Sequence, residues 1–186
     1  MISEIFKGRP NDKREAREER CYNFLDNLGI DYDRVDHDPA DTMEKCAEIG
    51  KKLGTDIKKN LFLCNTQKTK FYLLVMPADK VFKTKYLSKQ INSARLSFAS
   101  ADDMLKYLDL YPGACSILGL INDTENEVKL IIDKDILSKN EISCHPCKST
   151  STIRFSIKDM FEKFLPAVNH EATIVDLPNE AVCEKI

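Results

Sequence analysis

The chain has 186 residues, 42% hydrophobic and 31% charged, which is the size and composition of one ordinary soluble domain with a real core. No apolar stretch reaches the roughly 18–20 residues of a membrane-spanning helix, and Met1–Lys7 lacks the basic and apolar regions of a secretory signal. The net charge of −2 hides an asymmetry: from Lys45 to Lys89 eleven lysines stand against three acids, a face suited to a polyanionic partner or simply to solvation.

In chain order, residues 11–28 read as an amphipathic helix capped by Asn11 or Asp12, with Cys21, Phe24, Leu25 and Leu28 at helical spacing and Gly29 ending it. Tyr32–His37 alternates like a strand. Asp41 and Glu44 form a capping-box pattern that opens a second helix, which Gly54 closes. Asn60–Asn65 and Phe71–Met76 are apolar runs joined by a hairpin signal at Thr66–Lys70. A lysine-rich helix over Lys83–Ile91 and a short strand over Arg95–Ala99 follow. Ser100 and Asp103 then start a helix with Met104, Leu105 and Leu108 on one face.

Cys115–Ile121 and Glu127–Ile132 flank a second hairpin signal at Asn122–Asn126. Ile153–Ile157 reads as a strand, Lys158–Leu165 as a helix and Ala172–Asp176 as a last strand, and the residues from about Pro178 read as a tail. The sum is a single compact α/β domain of mixed α+β type with considerable antiparallel pairing. Seven cysteines, an odd number scattered through these elements, suit reduced thiols in a cytosol better than a disulfide framework.

No phosphate loop, dinucleotide fingerprint, HExxH or GxSxG is present. Cys144-His145-Pro146-Cys147 contains a CxxC, but no second ligand pair completes a zinc site, and the following Ser149-Thr150-Ser151-Thr152 denies it a redox helix. Taken alone, His145 and His37 are loop histidines, His170 belongs on the surface, Lys59 is an exposed lysine, and Pro112 and Gly113 form a turn. A lysine at a strand mouth can also sit at a pocket rim, where desolvation and a second ammonium tune it.

Six runs occur in order: Lys59-Asn60-Leu61-Phe62-Leu63, Arg95–Ser100, Pro112-Gly113-x-x-Ser116, Gly119–Asp123, Val128-Lys129-x-x-Ile132-Asp133 and His145-Pro146. Together they resemble the YbaK/prolyl-tRNA-synthetase-associated domain family, in particular its free-standing PrdX/ProX branch, over about Cys21–Phe164. The resemblance implies a compact domain with a curved mixed sheet and flanking helices. It divides the chain into a helical extension (1–20), an editing domain (21–177) and a C-terminal tail (178–186).

The resemblance also implies a cytoplasmic trans-editing deacylase that hydrolyses mischarged tRNA(Pro), with Ala-tRNA(Pro) first and Cys-tRNA(Pro) as the alternative. A non-catalytic module binding tRNA or synthetase, and an unrelated small-molecule binder, stand beside it. The partners implied are the tRNA(Pro) acceptor end and prolyl-tRNA synthetase, with no metal, cofactor or membrane; the oligomeric state is left open.

Carried over by motif, Lys59, Gly113 and His145 are the catalytic candidates. Asn60, Ala114, Cys115, Ser116, Ile117 and Ser149 are the substrate-binding ones. Lys59 is expected to orient the ester and the terminal phosphate or ribose, the Gly113–Ile117 amides to receive the carbonyl, and His145 to bond the aminoacyl group or water. The chain departs from the family at Ile117, where Pro is usual, and at Ser149, where Asn is usual. Cys115 lacks a sequence neighbour to serve as its base, so it reads as pocket lining.

Overall fold

The computed structural model describes residues 1–40 and 42–179. In order these form β1 (Phe6–Lys7), α1 (Ala16–Asn27), β2 (Tyr32–Asp36), α2 (Met43–Leu53), β3 (Lys58–Asn65), β4 (Phe71–Pro77), α3 (Thr84–Gln90), β5 (Leu96–Phe98) and α4 (Ala101–Leu108). A 3₁₀ helix (Ile117–Asn122) leads to β6 (Val128–Asp133), α5 (Lys134–Leu137), β7 (Glu141–Cys144) and β8 (Ser151–Ser156). A last helical stretch comprises α6 (Ile157–Asp159), a π turn (Met160–Phe164) and α7 (Leu165–Ala167), before β9 (Ala172–Val175).

The strands pair in two sheets: an antiparallel one ordered β1-β2-β8-β7 and a mixed one ordered β5-β3-β4-β6-β9. The β3–β4 hairpin sits at the middle of the mixed sheet, and β6 and β9 add to it in parallel. A central strand is buried on both faces and therefore reads as a continuous apolar run. On β4, Phe71, Leu73 and Val75 enter the core shared with the antiparallel sheet, where Ile153, Phe155 and Phe164 meet them. The alternate residues Tyr72, Leu74 and Met76 pack with Leu87 and Leu96 on the far side.

Four expectations are corrected by the structure. First, the opening helix starts at Ala16, not at 11. Arg14 is held by Asp12 and Asp36, its amide donates to Glu19 at 3.1 Å, and Glu15 stays extended as a cap with no side-chain bond. The first 20 residues are thus no helical extension: β1 edges the antiparallel sheet, Ile2 bridges His37, and α1 runs across residue 20. At α2, Asp41 lies outside the described residues; Thr42 accepts the Lys45 amide at 3.3 Å, and Gly54 in the left-handed region closes the helix.

Second, Cys115–Ile121 is not half of a hairpin. The Ser116 hydroxyl accepts the Leu118 amide and starts a 3₁₀ helix, and Gly119 passes so close to Leu110 that an added Cβ would stand 2.7 Å from its Cδ1. Asp123 instead takes the amides of Glu127 and Val128 and turns the chain into β6.

Third, His170 is buried, not superficial: its Nε2 meets Asp123 at 2.9 Å and its Nδ1 the Val168 carbonyl at 2.6 Å. Fourth, on α4, Leu105 is half exposed and only Leu108 is fully buried on the predicted face. Of the tail, Pro178 and Asn179 are described, and residues 180–186 lie outside the described residues.

Candidate active site

The start of β3 delivers Lys58, Lys59 and Asn60 to the seam between the sheets, beside the end of β7 and the start of β8. A cavity of about 240 Å³ opens there, and Lys59, Asn60, Gly113, Cys115, His145 and Thr152 all line it. Residues far apart in sequence therefore meet around one hollow.

Each wall has a local cause. The Lys59 ammonium donates to the Lys80 carbonyl at 2.8 Å. Lys80 is itself fixed, because its buried Nζ reaches both Asp133 oxygens (2.9 and 3.0 Å), Asp135 (2.8 Å) and the Leu177 carbonyl (2.8 Å). Opposite, Gly113 turns the chain at φ +89°, a left-handed conformation that a side chain would strain. Ala114, Ser116 and Ile117 lie fully buried behind this turn and do not line the cavity.

The loop amides divide by use. Ala114 N–H is spent on Tyr111, Leu118 N–H on the Ser116 hydroxyl and Ile117 N–H on Asn60 Oδ1 at 3.0 Å. Among the described residues, the Gly113 and Cys115 amides have no protein acceptor, and both belong to cavity-lining residues. Asn60 therefore serves the loop as a tether. The donor it holds is one that proline would lack, so Ile117 replaces ring rigidity with a hydrogen bond.

His145 ends β7. Its carbonyl accepts the Ser116 hydroxyl, which ties the two loops, and its Nδ1 lies 2.7 Å from the Ser151 carbonyl. Nε2 has no partner among the described residues and is not sealed in the interior, and His145 is one of the residues that line the cavity. Burial holds the ring below the usual histidine pKa, the Ser151 carbonyl opposes that, and nearby His37 adds to it. The site thus presents a neutral imidazole lone pair.

Burial pushes the Cys115 thiol up to about 12, with Cys147 adding to the shift and the Ser116 amide only offsetting it. A thiol so placed is not a ready nucleophile. Cys147, in turn, touches Cys21 of α1 with the sulfurs 3.2 Å apart, pinning the histidine loop to the helix.

Ser149 sits in the turn after Cys147 and does not line the cavity; Thr152, three residues on, does. Thr152 and its partner His37 were not legible as site residues, since they meet only through the β2–β8 register, in which Val35 faces Thr152. Lys58 is the other addition. Nearly all buried, it donates to the Asp56 carbonyl, forms no ion pair among the described residues, and has its pKa lowered chiefly by burial. It lines both the small cavity and an adjoining groove of about 950 Å³ that also includes Lys51, Lys139 and Asn140. No group of His, Cys, Asp and Glu among the described residues could hold a metal.

The chain is thus a mixed α+β domain with a small hollow at its sheet seam, to which a lysine, a glycine turn and a histidine all contribute. The chain belongs to the aminoacyl-tRNA editing domain family, whose model matches residues 37–163. It is 35% identical over 153 residues to the prolyl-tRNA editing protein ProX of Acetoanaerobium sticklandii, covering 82% of this chain and 93% of that one. To prolyl-tRNA synthetase associated domain-containing protein 1 of Danio rerio it is 27% identical over 168 residues, covering 89% and 88%. A crystallised candidate trans-editing enzyme for prolyl tRNA synthetase shares the fold at 12% identity, with a TM-score of 0.65 and coverage of 89% and 100%.

Proposed function

We propose that this chain is a cytoplasmic trans-editing hydrolase that deacylates mischarged tRNA(Pro), with Ala-tRNA(Pro) as its substrate. The observation that carries the reading is that Lys59, Gly113, Cys115 and His145 line one hollow of about 240 Å³. Its partners are the acceptor end of tRNA(Pro) and, as the source of the error, prolyl-tRNA synthetase. Alanine is smaller than proline, so a synthetic pocket built for proline cannot exclude it, and a second, smaller site must remove it.

In this reading the aminoacyl group enters the hollow with its carbonyl oxygen toward the free amides of Gly113 and Cys115, which stabilise the oxyanion that forms there. Lys59, held by the Lys80 carbonyl, orients the terminal ribose and phosphate. Water adds to the carbonyl carbon, the bond to the ribose oxygen breaks, and that oxygen takes a proton, with the neighbouring ribose hydroxyl assisting. No residue forms a covalent intermediate, in keeping with the raised Cys115 pKa. Lys58, an ammonium with no ion pair among the described residues where hollow and groove meet, gives a backbone phosphate a partner.

The test is hydrolysis of Ala-, Cys- and Pro-tRNA(Pro) by the protein and by Lys59→Ala. Fast release of alanine, none of proline, and a loss of about 100-fold or more in the variant are expected. Preference for cysteine would redirect the substrate assignment, and no release from any of the three would end the enzyme reading.

A further inference from the structure

We infer that His37 and Thr152 are positioning residues for His145, forming a buried imidazole–hydroxyl–imidazole chain that holds the second ring with Nε2 free toward the cavity. The inference rests on the editing function proposed above, and it adds two residues to that site.

The direction of each proton follows from what each neighbour can do. His37 Nδ1 lies 2.9 Å from the Asp38 carbonyl, which can only accept, so Nδ1 carries the proton. Nε2 of the neutral ring is then a lone pair, and Thr152 Oγ1, 2.8 Å away, must donate to it. With its proton committed, the Thr152 oxygen has only lone pairs left to offer elsewhere.

One of those faces His145 Nδ1 at 3.4 Å, beside the stronger acceptor, the Ser151 carbonyl at 2.7 Å. Both acceptors demand a proton on Nδ1, so Nε2 of His145 stays bare. A freely rotating hydroxyl at 152 could instead donate to Nδ1 and stabilise the opposite tautomer. His37 prevents that by taking the hydroxyl proton.

The two ring centroids are 6.0 Å apart, and His37 and Thr152 are almost completely buried, which keeps the chain short and its members fixed. The arrangement is set by strand register: Thr152 on β8 pairs with Val35, and the amide of His37, just past the end of β2, donates to the Thr150 carbonyl at 2.9 Å.

The consequence is a cavity wall that accepts and does not donate. It receives an N–H or O–H donor, which the bound aminoacyl ester supplies through its α-ammonium and the reaction supplies through the attacking water.

The primary test is the tautomeric state of both rings by ¹⁵N correlation spectroscopy at neutral pH, with His37→Phe, Thr152→Val and Thr152→Ser. Nδ1–H forms at His37 and His145 are expected, with His145 resonances moved alike by His37→Phe and Thr152→Val and restored by Thr152→Ser. An Nε2–H form at either ring, or unmoved His145 resonances, would overturn the inference; neither reading needs catalysis, so it can fail or stand apart from the editing function.

In turnover, Thr152→Val and His37→Phe should each lose about tenfold in kcat with KM little changed, roughly the worth of one hydrogen bond. The double variant should be no worse than either, because both act through one chain. Additive losses would refute the coupling. Comparing non-hydrolysable alanyl- and propionyl-adenosine separates the donors: a preference for the amine that Thr152→Val abolishes assigns Nε2 to the α-ammonium, and equal binding with the kcat loss intact assigns it to water.

Discussion

Replacing Asn60 with Ala removes the acceptor that the N–H of fully buried Ile117 meets at 3.0 Å. An orphaned buried amide costs about 1–3 kcal/mol. In a protein of this length each 1 kcal/mol moves the melting temperature by about 2–4 °C, giving a fall of about 2–12 °C. The companion change is Ile117→Pro, which deletes the donor instead. Ser116, at φ −152° and ψ 146°, already has the extended backbone that a residue before proline prefers, and position 117 is the first of its helix, where proline is tolerated. In the Asn60→Ala background the proline should therefore cost much less than it does alone, since the amide it removes is already unpaired. Urea denaturation of the four proteins measures the cycle. Additive losses, or an Asn60→Ala as stable as the parent, would refute the claim that this bond does the work a proline ring would do there.

Lys80→Met should cost about 3–5 kcal/mol in the same assay, because it leaves the fully buried Asp133 carboxylate without its partner. It should also lower turnover by freeing the turn whose Lys80 carbonyl holds Lys59. Lys58→Met should weaken tRNA binding and flatten the log–log salt dependence by about one unit; an unchanged slope would remove Lys58 from the phosphate path. His37 and His145 are both held below the ordinary value of 6.5, first by burial. As pH falls below 6.5 the unfolded chain takes protons that the folded one resists, so stability is full above that value and declines toward the lower folded pKa values. Replacing both rings with Gln should remove that part of the acid sensitivity in pH-dependent unfolding, and an unchanged profile would contradict it.

Much of the fold was legible where burial and periodicity agree. β4 declared itself because a strand covered on both faces has no polar side, and α4 because Ser100 and Asp103 form a complete capping box. The same logic misread Cys115–Ile121: a 3₁₀ helix packed on every side shows the apolar run of a buried strand, and only the contacts of Ser116 and Gly119 distinguish the two. Of the site, the ends of the argument were readable in Lys59, Gly113 and His145, which the motifs mark and the cavity collects. Which loop residues would be lining and which would be struts was not, since that depends on where each amide finds an acceptor. Ser149 and Thr152 look equivalent in a Ser/Thr run, yet strand register puts only the latter at the wall. The lysine count misled in one respect: Lys80 is spent inside the protein on Asp133 and is no part of a free cationic face.

The buried ammonium of Lys80 draws on Asp133, Asp135 and Leu177, nearly a hundred positions downstream, while its carbonyl supports Lys59. A ribosome making this protein would thus finish every group that touches the hollow before it adds the last contact of the post beneath one of them. Asp133 and Asp135 are in place before His145 and Thr152 are made, and the Leu177 carbonyl is the one contact of that post laid down after every residue that lines the hollow.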